Sequence, residues 1–171
     1  ASMNPCPCGY YNHPKTPCAC SASQIARYLG KVSGPLLDRI DLHIPISPTL
    51  FEDLTQVSEE NNLQEEEAIK QRIANARIQQ QKRFQPFTEQ PCRTNSQLNG
   101  KWVTQLCQLD DESTKLLKTA MEKLNLSARA YHKILKVSRT IADLEQRDRI
   151  EKHHVAEAIQ YRSLDRRFGL A

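Results

Sequence analysis

From residue 63 onward the apolar positions recur at helical spacing. Leu63, Ile69, Ile73, Ala76 and Phe84 share one stripe of a 3.6-residue period, while Lys70, Arg72, Arg77, Lys82 and Arg83 occupy other faces. The pattern predicts a long helix over about 63–84, ended by Pro86. Leu116, Leu117, Ala120, Met121 and Leu124 predict a second helix that starts at Asp110 or Asp111 as cap. Ser127 caps a third, with Tyr131, Ile134, Leu135, Ser138, Ile141 and Ala142 on its buried side, and Val155, Ala158 and Ile159 place a last helix over about 151–162. Short links between these three helices predict a small bundle, to which Trp102, Val103, Leu106 and Leu109 of the irregular stretch 85–109 add core.

The first third of the chain reads differently. Residues 1–22, with Pro5, Pro7, Gly9, Asn12, Pro14 and Pro17, have no usable period and predict a compact loop. A short helix then runs to Leu29, capped by Ser23 or Ser21 and stopped by Gly30 or Gly34. Leu36 and Leu37 begin a turn that leads into Ile40-Asp41-Leu42-His43-Ile44-Pro45-Ile46, where strict alternation of apolar and polar residues predicts a strand. Residues 47–62 are acidic and irregular, as expected of a linker.

Composition narrows the class without naming a function. A mean hydropathy of -0.64 describes long polar helices, and a net charge of +4 is compatible with phosphate or nucleic-acid partners without requiring them. No apolar run approaches the roughly 20 residues that span a bilayer, and the N-terminus lacks the pattern of a signal peptide. The expectation is a cytoplasmic protein with no membrane partner. The glycines at 9, 30, 34, 100 and 169 cannot form a phosphate-cradling G-x-x-x-x-G-K-[ST] loop, and no apolar strand ends in an acidic pair for magnesium. This chain alone is therefore not expected to hydrolyse a nucleotide.

Cysteine placement is the clearest chemical anomaly. Of the six cysteines, Cys6, Cys8, Cys18 and Cys20 crowd into the first 20 residues as two C-x-C pairs. Four thiolates brought together complete a tetrahedral zinc shell and would order a loop that has no other source of order. Free thiols or an oxidised pair are the alternatives, and His13 is a substitute ligand. Cys92 and Cys107 stand alone and read as small apolar residues.

Two arginines stand out by position. Arg39 lies in the turn after Gly34-Pro35 between Asp38 and Asp41, where pairing with those carboxylates is the plain reading. Arg129 lies in a helix's first turn, where a cation opposes the macrodipole, so a reason outside the helix is called for unless solvent simply surrounds it. Lys133, Lys136 and Arg139 form a basic face that Arg162, Arg166 and Arg167 extend, which suits either solvent or nucleic acid. His153 and His154 lack ligand partners at helical spacing and are expected to be exposed.

These residues fall in longer blocks. Asn4-Pro5-Cys6-Pro7-Cys8-Gly9, Cys18-x-Cys20, the run from Leu29 to Leu42 containing Leu36-Leu37-Asp38-Arg39-Ile40-Asp41, Leu126 to Val137, Thr140 to Leu144 and His154 to Arg162 resemble the C-terminal part of magnesium-chelatase-like AAA+ ATPases of the ComM/YifB family. The resemblance implies a mainly α fold: an AAA+ helical lid over 63–171, joined by the linker 47–62 to residues 1–46. Those would be the end of the α/β core, with a short helix, a strand and the Cys-rich loop. It implies a fragment, since the family's nucleotide-binding core with Walker A and B lies upstream. Asn4 matches the sensor 1 asparagine, Arg39 the arginine finger and Arg129 the sensor 2 arginine, the catalytic and nucleotide-binding residues that the resemblance assigns. The cofactors implied for the full-length protein are ATP and Mg2+. Its partners would be its own core, neighbouring subunits of a homo-oligomeric ring, expected to be a hexamer, and DNA, through branch migration in natural transformation. A true magnesium-chelatase subunit of tetrapyrrole synthesis and a stand-alone zinc and helix-bundle module binding nucleic acid are the competing readings.

Overall fold

The computed structural model describes residues 1–48, 59–87 and 92–162. Its helices are α1 Ala22–Leu29, α2 Gly34–Leu37, α3 Glu59–Phe84, α4 Gly100–Leu106, α5 Asp111–Leu124, α6 Ala128–Leu144 and α7 Lys152–Gln160, with a 3-10 turn at Asn95–Gln97 ahead of α4. Several start where local side chains satisfy the free amides of the first turn. Asp110 accepts from the Ser113 N–H at 2.7 Å, and Ser127 from the Ala130 N–H at 3.1 Å. Ser21 and Gln24 cap α1 reciprocally, and Glu151 and His154 do the same for α7. The α5–α6 corner depends on Asn125 in the left-handed region at φ 48°, a conformation that asparagine tolerates better than most residues.

The hub is α6, which packs on α3, α4, α7 and the 3-10 turn, while α5 packs on α7. Ile134, Leu135, Ile141 and Ala142 of α6 meet Leu117 of α5, Val155 and Ala158 of α7, and Val103 and Cys107 at α4. Burying each Leu, Ile or Val contributes about 1.5–3 kcal/mol against chain entropy, which is why three short amphipathic helices stand together and none stands alone.

Several expectations are corrected. The stripe of α3 is buried only at its C-terminal end, at Ala76 and Phe84; Leu63, Ile69 and Ile73 are 67%, 52% and 47% exposed. The cause is length: at about 1.5 Å per residue, α3 with 26 residues outruns α6 with 17. Tyr131 is also exposed, at the rim of a groove lined by Thr104, Met121 and Leu135.

The strand over Ile40–Ile46 does not form. Leu42, Ile44 and Ile46 are exposed and His43 is buried, the inverse of the predicted alternation. A strand exists only by pairing with another, and no strand occurs among the described residues; the His43 N–H instead donates to the Tyr161 carbonyl at 2.7 Å. Of the predicted linker, residues 49–58 lie outside the described residues, and helix is already present from Glu59.

Arg139 and Arg162 are not on a basic surface: they are 3% and 1% exposed. Arg139 donates through Nε to Asp143 Oδ1 at 3.1 Å and through Nη1 to the Asp148 carbonyl at 2.7 Å. It thus holds the α6–α7 connection from inside. Burial lowers its pKa, with Asp143 opposing. Arg166 and Arg167 lie outside the described residues. His154 is buried rather than exposed, while His153 is exposed as expected, and both meet Glu145.

Candidate functional site

Residues 1–21 form the irregular loop expected at the N-terminal end, and it closes around sulfur. The Gly9 N–H donates to the Cys6 carbonyl at 3.1 Å, closing a turn over Cys6, Pro7 and Cys8, and Gly9 at φ +83° redirects the chain after it. A second turn at Asn12, at φ 62°, returns the chain toward Cys18 and Cys20. The sulfur separations are 3.4 Å for Cys6–Cys8, 3.7 Å for Cys6–Cys18 and 3.5 Å for Cys8–Cys18, and all four ligand atoms, Cys20 included, lie within 4.8 Å of one another.

Zinc–sulfur bonds of about 2.3 Å in a tetrahedron place sulfurs roughly 3.8 Å apart, so the donor set and its dimensions fit a structural zinc centre. The separations are far beyond the roughly 2.05 Å of a disulfide, and all six cysteines are free thiols. Cys6 is fully buried and the other three are half-buried. Backbone amides already face the sulfurs: the Cys20 N–H points at Cys18 Sγ from 3.4 Å. A hydrogen bond from the Tyr10 amide leads the effects that bring the Cys8 thiol down to about 6. Cys18 is pulled down by the Cys20 amide, but desolvation and the neighbouring sulfurs outweigh that and raise it to about 12. Burial, first of all, raises Cys20. His13 is not in the cluster; its Nδ1 accepts from the amides of Lys15 and Thr16 at 3.2 and 2.9 Å. Cys107 is buried, with its thiol pushed up to about 11 by desolvation, consistent with a small apolar role.

The two arginines singled out in sequence are linked through Lys133 of α6. Arg39, in the turn after α2, and Arg129, in the first turn of α6, are both exposed. The carboxylates flanking Arg39 are committed elsewhere. Asp38 accepts from the Ser127 hydroxyl at 2.9 Å and faces Arg162 Nη2 at 3.7 Å, while Asp41 pairs with Lys133. Arg39 Nη1 donates to the Pro35 carbonyl at 2.8 Å, and among the described residues no carboxylate pairs with Arg39 or Arg129. Lys133 Nζ donates to the Arg39 carbonyl at 2.8 Å, and Arg129 lies one helical turn before Lys133 on the same face. Asn4 is exposed near Gly9, in the cysteine loop.

A second titratable cluster went unread in sequence. Glu145 Oε2 lies 3.0 Å from His153 Nε2 and 3.2 Å from His154 Nε2. Its protons argue for hydrogen bonding rather than metal: His154 Nδ1 already accepts the Glu151 N–H at 2.8 Å, so the proton of a neutral ring sits on Nε2 and is donated to Glu145.

Comparison with known proteins bears on both sites. Residues 64–162 match the family model for the C-terminal part of magnesium chelatase subunit ChlI, and residues 1–54 match the model for magnesium chelatase subunit ChlI. The chain is 39% identical over 170 residues to the uncharacterized protein YifB of Escherichia coli, covering 97% of this chain and 31% of that protein. It is 39% identical over 168 residues to the competence protein ComM of Haemophilus influenzae, with 97% and 30% covered. An uncharacterized protein of Mycobacterium tuberculosis is 32% identical over 163 residues, with 94% and 30% covered. The chain thus spans less than a third of the length of these curated relatives.

Proposed function

Because the chain belongs to the magnesium chelatase subunit ChlI family, we propose that it is the C-terminal portion of a ring-forming AAA+ ATPase of the ComM/YifB type. In this reading residues 1–46 complete the nucleotide-binding core, 47–62 join it to the lid, and 63–171 are the lid. The longer protein uses ATP and Mg2+, works in the cytoplasm as a hexamer, and remodels DNA, by branch migration during transformation. No described helix is long and apolar enough to cross a membrane.

The observation that carries the proposal is that Arg39 and Arg129 are both exposed with no carboxylate partner among the described residues, and that Lys133, one turn from Arg129, holds the Arg39 carbonyl. An exposed guanidinium with no carboxylate partner suits a phosphate group as its counter-charge, because its planar fork matches phosphate oxygens. Arg39 as arginine finger and Arg129 as sensor 2 would stabilise charge on the transferring phosphoryl group of bound ATP. Asn4, as sensor 1, would orient the attacking water. The four cysteines would hold a closed zinc centre that braces the loop after Asn4 and leaves no coordination position for catalysis.

Substituting Arg39→Ala or Arg129→Ala in the longer protein is expected to lower ATP turnover by about 10² or more. Wild-type turnover in both variants would sink the assignment. The family description favours a second reading, a chelatase subunit acting on a tetrapyrrole; ATP turnover stimulated by branched DNA supports the first, and stimulation by a porphyrin-bearing partner alone supports the second. The burial of Arg139 and Arg162 removes two cations on which a stand-alone nucleic-acid module would rely. Tight, salt-resistant filter binding of DNA by this chain by itself would revive that reading.

A further inference from the structure

The stretch from Asp38 to His43 has no regular structure of its own, yet it is tied to the bundle at successive residues. The Ser127 hydroxyl donates to Asp38 Oδ2 at 2.9 Å, and Arg162 Nη2 faces Asp38 Oδ1 at 3.7 Å. Lys133 Nζ donates to the Arg39 carbonyl at 2.8 Å and pairs with Asp41. Arg162 Nη1 donates to the Ile40 carbonyl at 2.6 Å, and the His43 N–H donates to the Tyr161 carbonyl at 2.7 Å. These partners lie 89 to 124 residues away in sequence. Arg162 is fully buried, so its bonds are made in a low-dielectric setting where they hold geometry firmly. Ser127 does two things at once: its oxygen caps α6 through the Ala130 N–H while its proton binds Asp38.

Arg39 is thus held at its own carbonyl and at both neighbouring residues while its side chain stays exposed. The grip comes from α6, the helix that carries Arg129, and from the end of α7. We propose that Ser127, Lys133 and Arg162 are positioning residues that fix Arg39 relative to Arg129, so that both cations of the phosphate site move as one body with the helical bundle. The inference rests on the phosphate-site reading above. When the lid of a subunit rotates, its Arg39 is carried along, and the state of the lid is delivered to whichever ATP that arginine contacts. Neither Ser127, Lys133 nor Arg162 need touch nucleotide for this.

The test uses the longer protein bearing the nucleotide-binding core, with Ser127→Gly, Lys133→Met and Lys133→Arg beside Arg39→Ala. Glycine at a cap keeps most of the helix start, so Ser127→Gly chiefly removes the bond to Asp38. Expected are a fall in kcat of about tenfold for Lys133→Met and severalfold for Ser127→Gly, with KM for ATP within twofold, and recovery of kcat in Lys133→Arg. Amide exchange at Ile40–His43 should speed up about tenfold in Lys133→Met while the amides of Ile134–Ala142 stay protected, which separates loss of the clasp from loss of the fold. If Lys133→Met does not fold, Ser127→Gly carries the same two readouts. Turnover within twofold of wild type in both clasp variants, with Arg39→Ala inactive, overturns the positioning role and leaves the phosphate site standing. Full turnover in Arg39→Ala overturns the phosphate site itself, and the positioning role with it.

Discussion

Arg83 reaches from the last turn of α3 to donate to Asp143 of α6, with Nη1 at 3.0 Å from Oδ2 and Nη2 on Oδ1. Asp143 is fully buried and is held on its other side by Arg139, while the Asn95 side chain donates to Oδ2 at 2.8 Å. One carboxylate therefore anchors α3, the 3-10 turn and the α6–α7 connection. Removing it leaves two guanidiniums facing an empty, largely dry site. Asp143→Ala is expected to cost about 3–5 kcal/mol, as for breaking a buried ion pair by loss of one partner. Urea unfolding measures it, and Arg83→Met should cost less because Arg139 still neutralises Asp143.

Burial divides residues that look alike in sequence. Ile134 is 1% exposed at the centre of the bundle, and Ile69 is 52% exposed on the overhanging half of α3. Ile134→Ala should cost about 2–5 kcal/mol; Ile69→Ala should stay within about 0.5 kcal/mol. Equal losses in a thermal melt would mean that the outer half of α3 docks in solution.

Metal content is checked directly. Purified protein should contain zinc at about one per chain, Cys6→Ser or Cys18→Ser should lose it, and Cys92→Ser should retain it. Stripping the metal with a chelator should loosen residues 1–22 and leave the helical circular dichroism of α3–α7 nearly intact, because the bundle's core is separate from the cysteine loop.

Acid should weaken the α6–α7 corner through Glu145. Hydrogen bonds from His153, and then His154, hold its carboxyl below the ordinary value of about 4.5. A depressed carboxylate contributes stability that is present above its unfolded pKa and is lost as pH falls through the folded value. Stability against urea should therefore decline below about pH 4.5, and Glu145→Gln should flatten that part of the profile. An unchanged profile in Glu145→Gln would assign the acid sensitivity to other carboxylates.

The starts of α1, α5 and α6 were readable along the chain because a cap acts within three residues: Ser21, Asp110 and Ser127 each accept from an amide three positions on; α2 and α4 went unread, and α3 starts at Glu59 rather than 63. The C-x-C pairs were readable because each is a local feature of the sequence, the first closed within three residues by the bond from the Gly9 N–H to the Cys6 carbonyl. The apolar stripes of α5, α6 and α7 named their buried faces correctly, apart from Tyr131.

Partners distant in sequence decided the rest. Arg139 and His154 carry the residue types of exposed positions, and only Asp143, Glu145 and the carbonyls of the α6–α7 connection make their burial affordable. Ile40–Ile46 has the alternation of a strand, but a strand is a property of two backbones, and here the available partners are Lys133, Tyr161 and Arg162. Periodicity reports which face of an element is apolar. It cannot report whether anything lies opposite that face, and that geometry sets the clasp at Arg39 and the burial of Asp143.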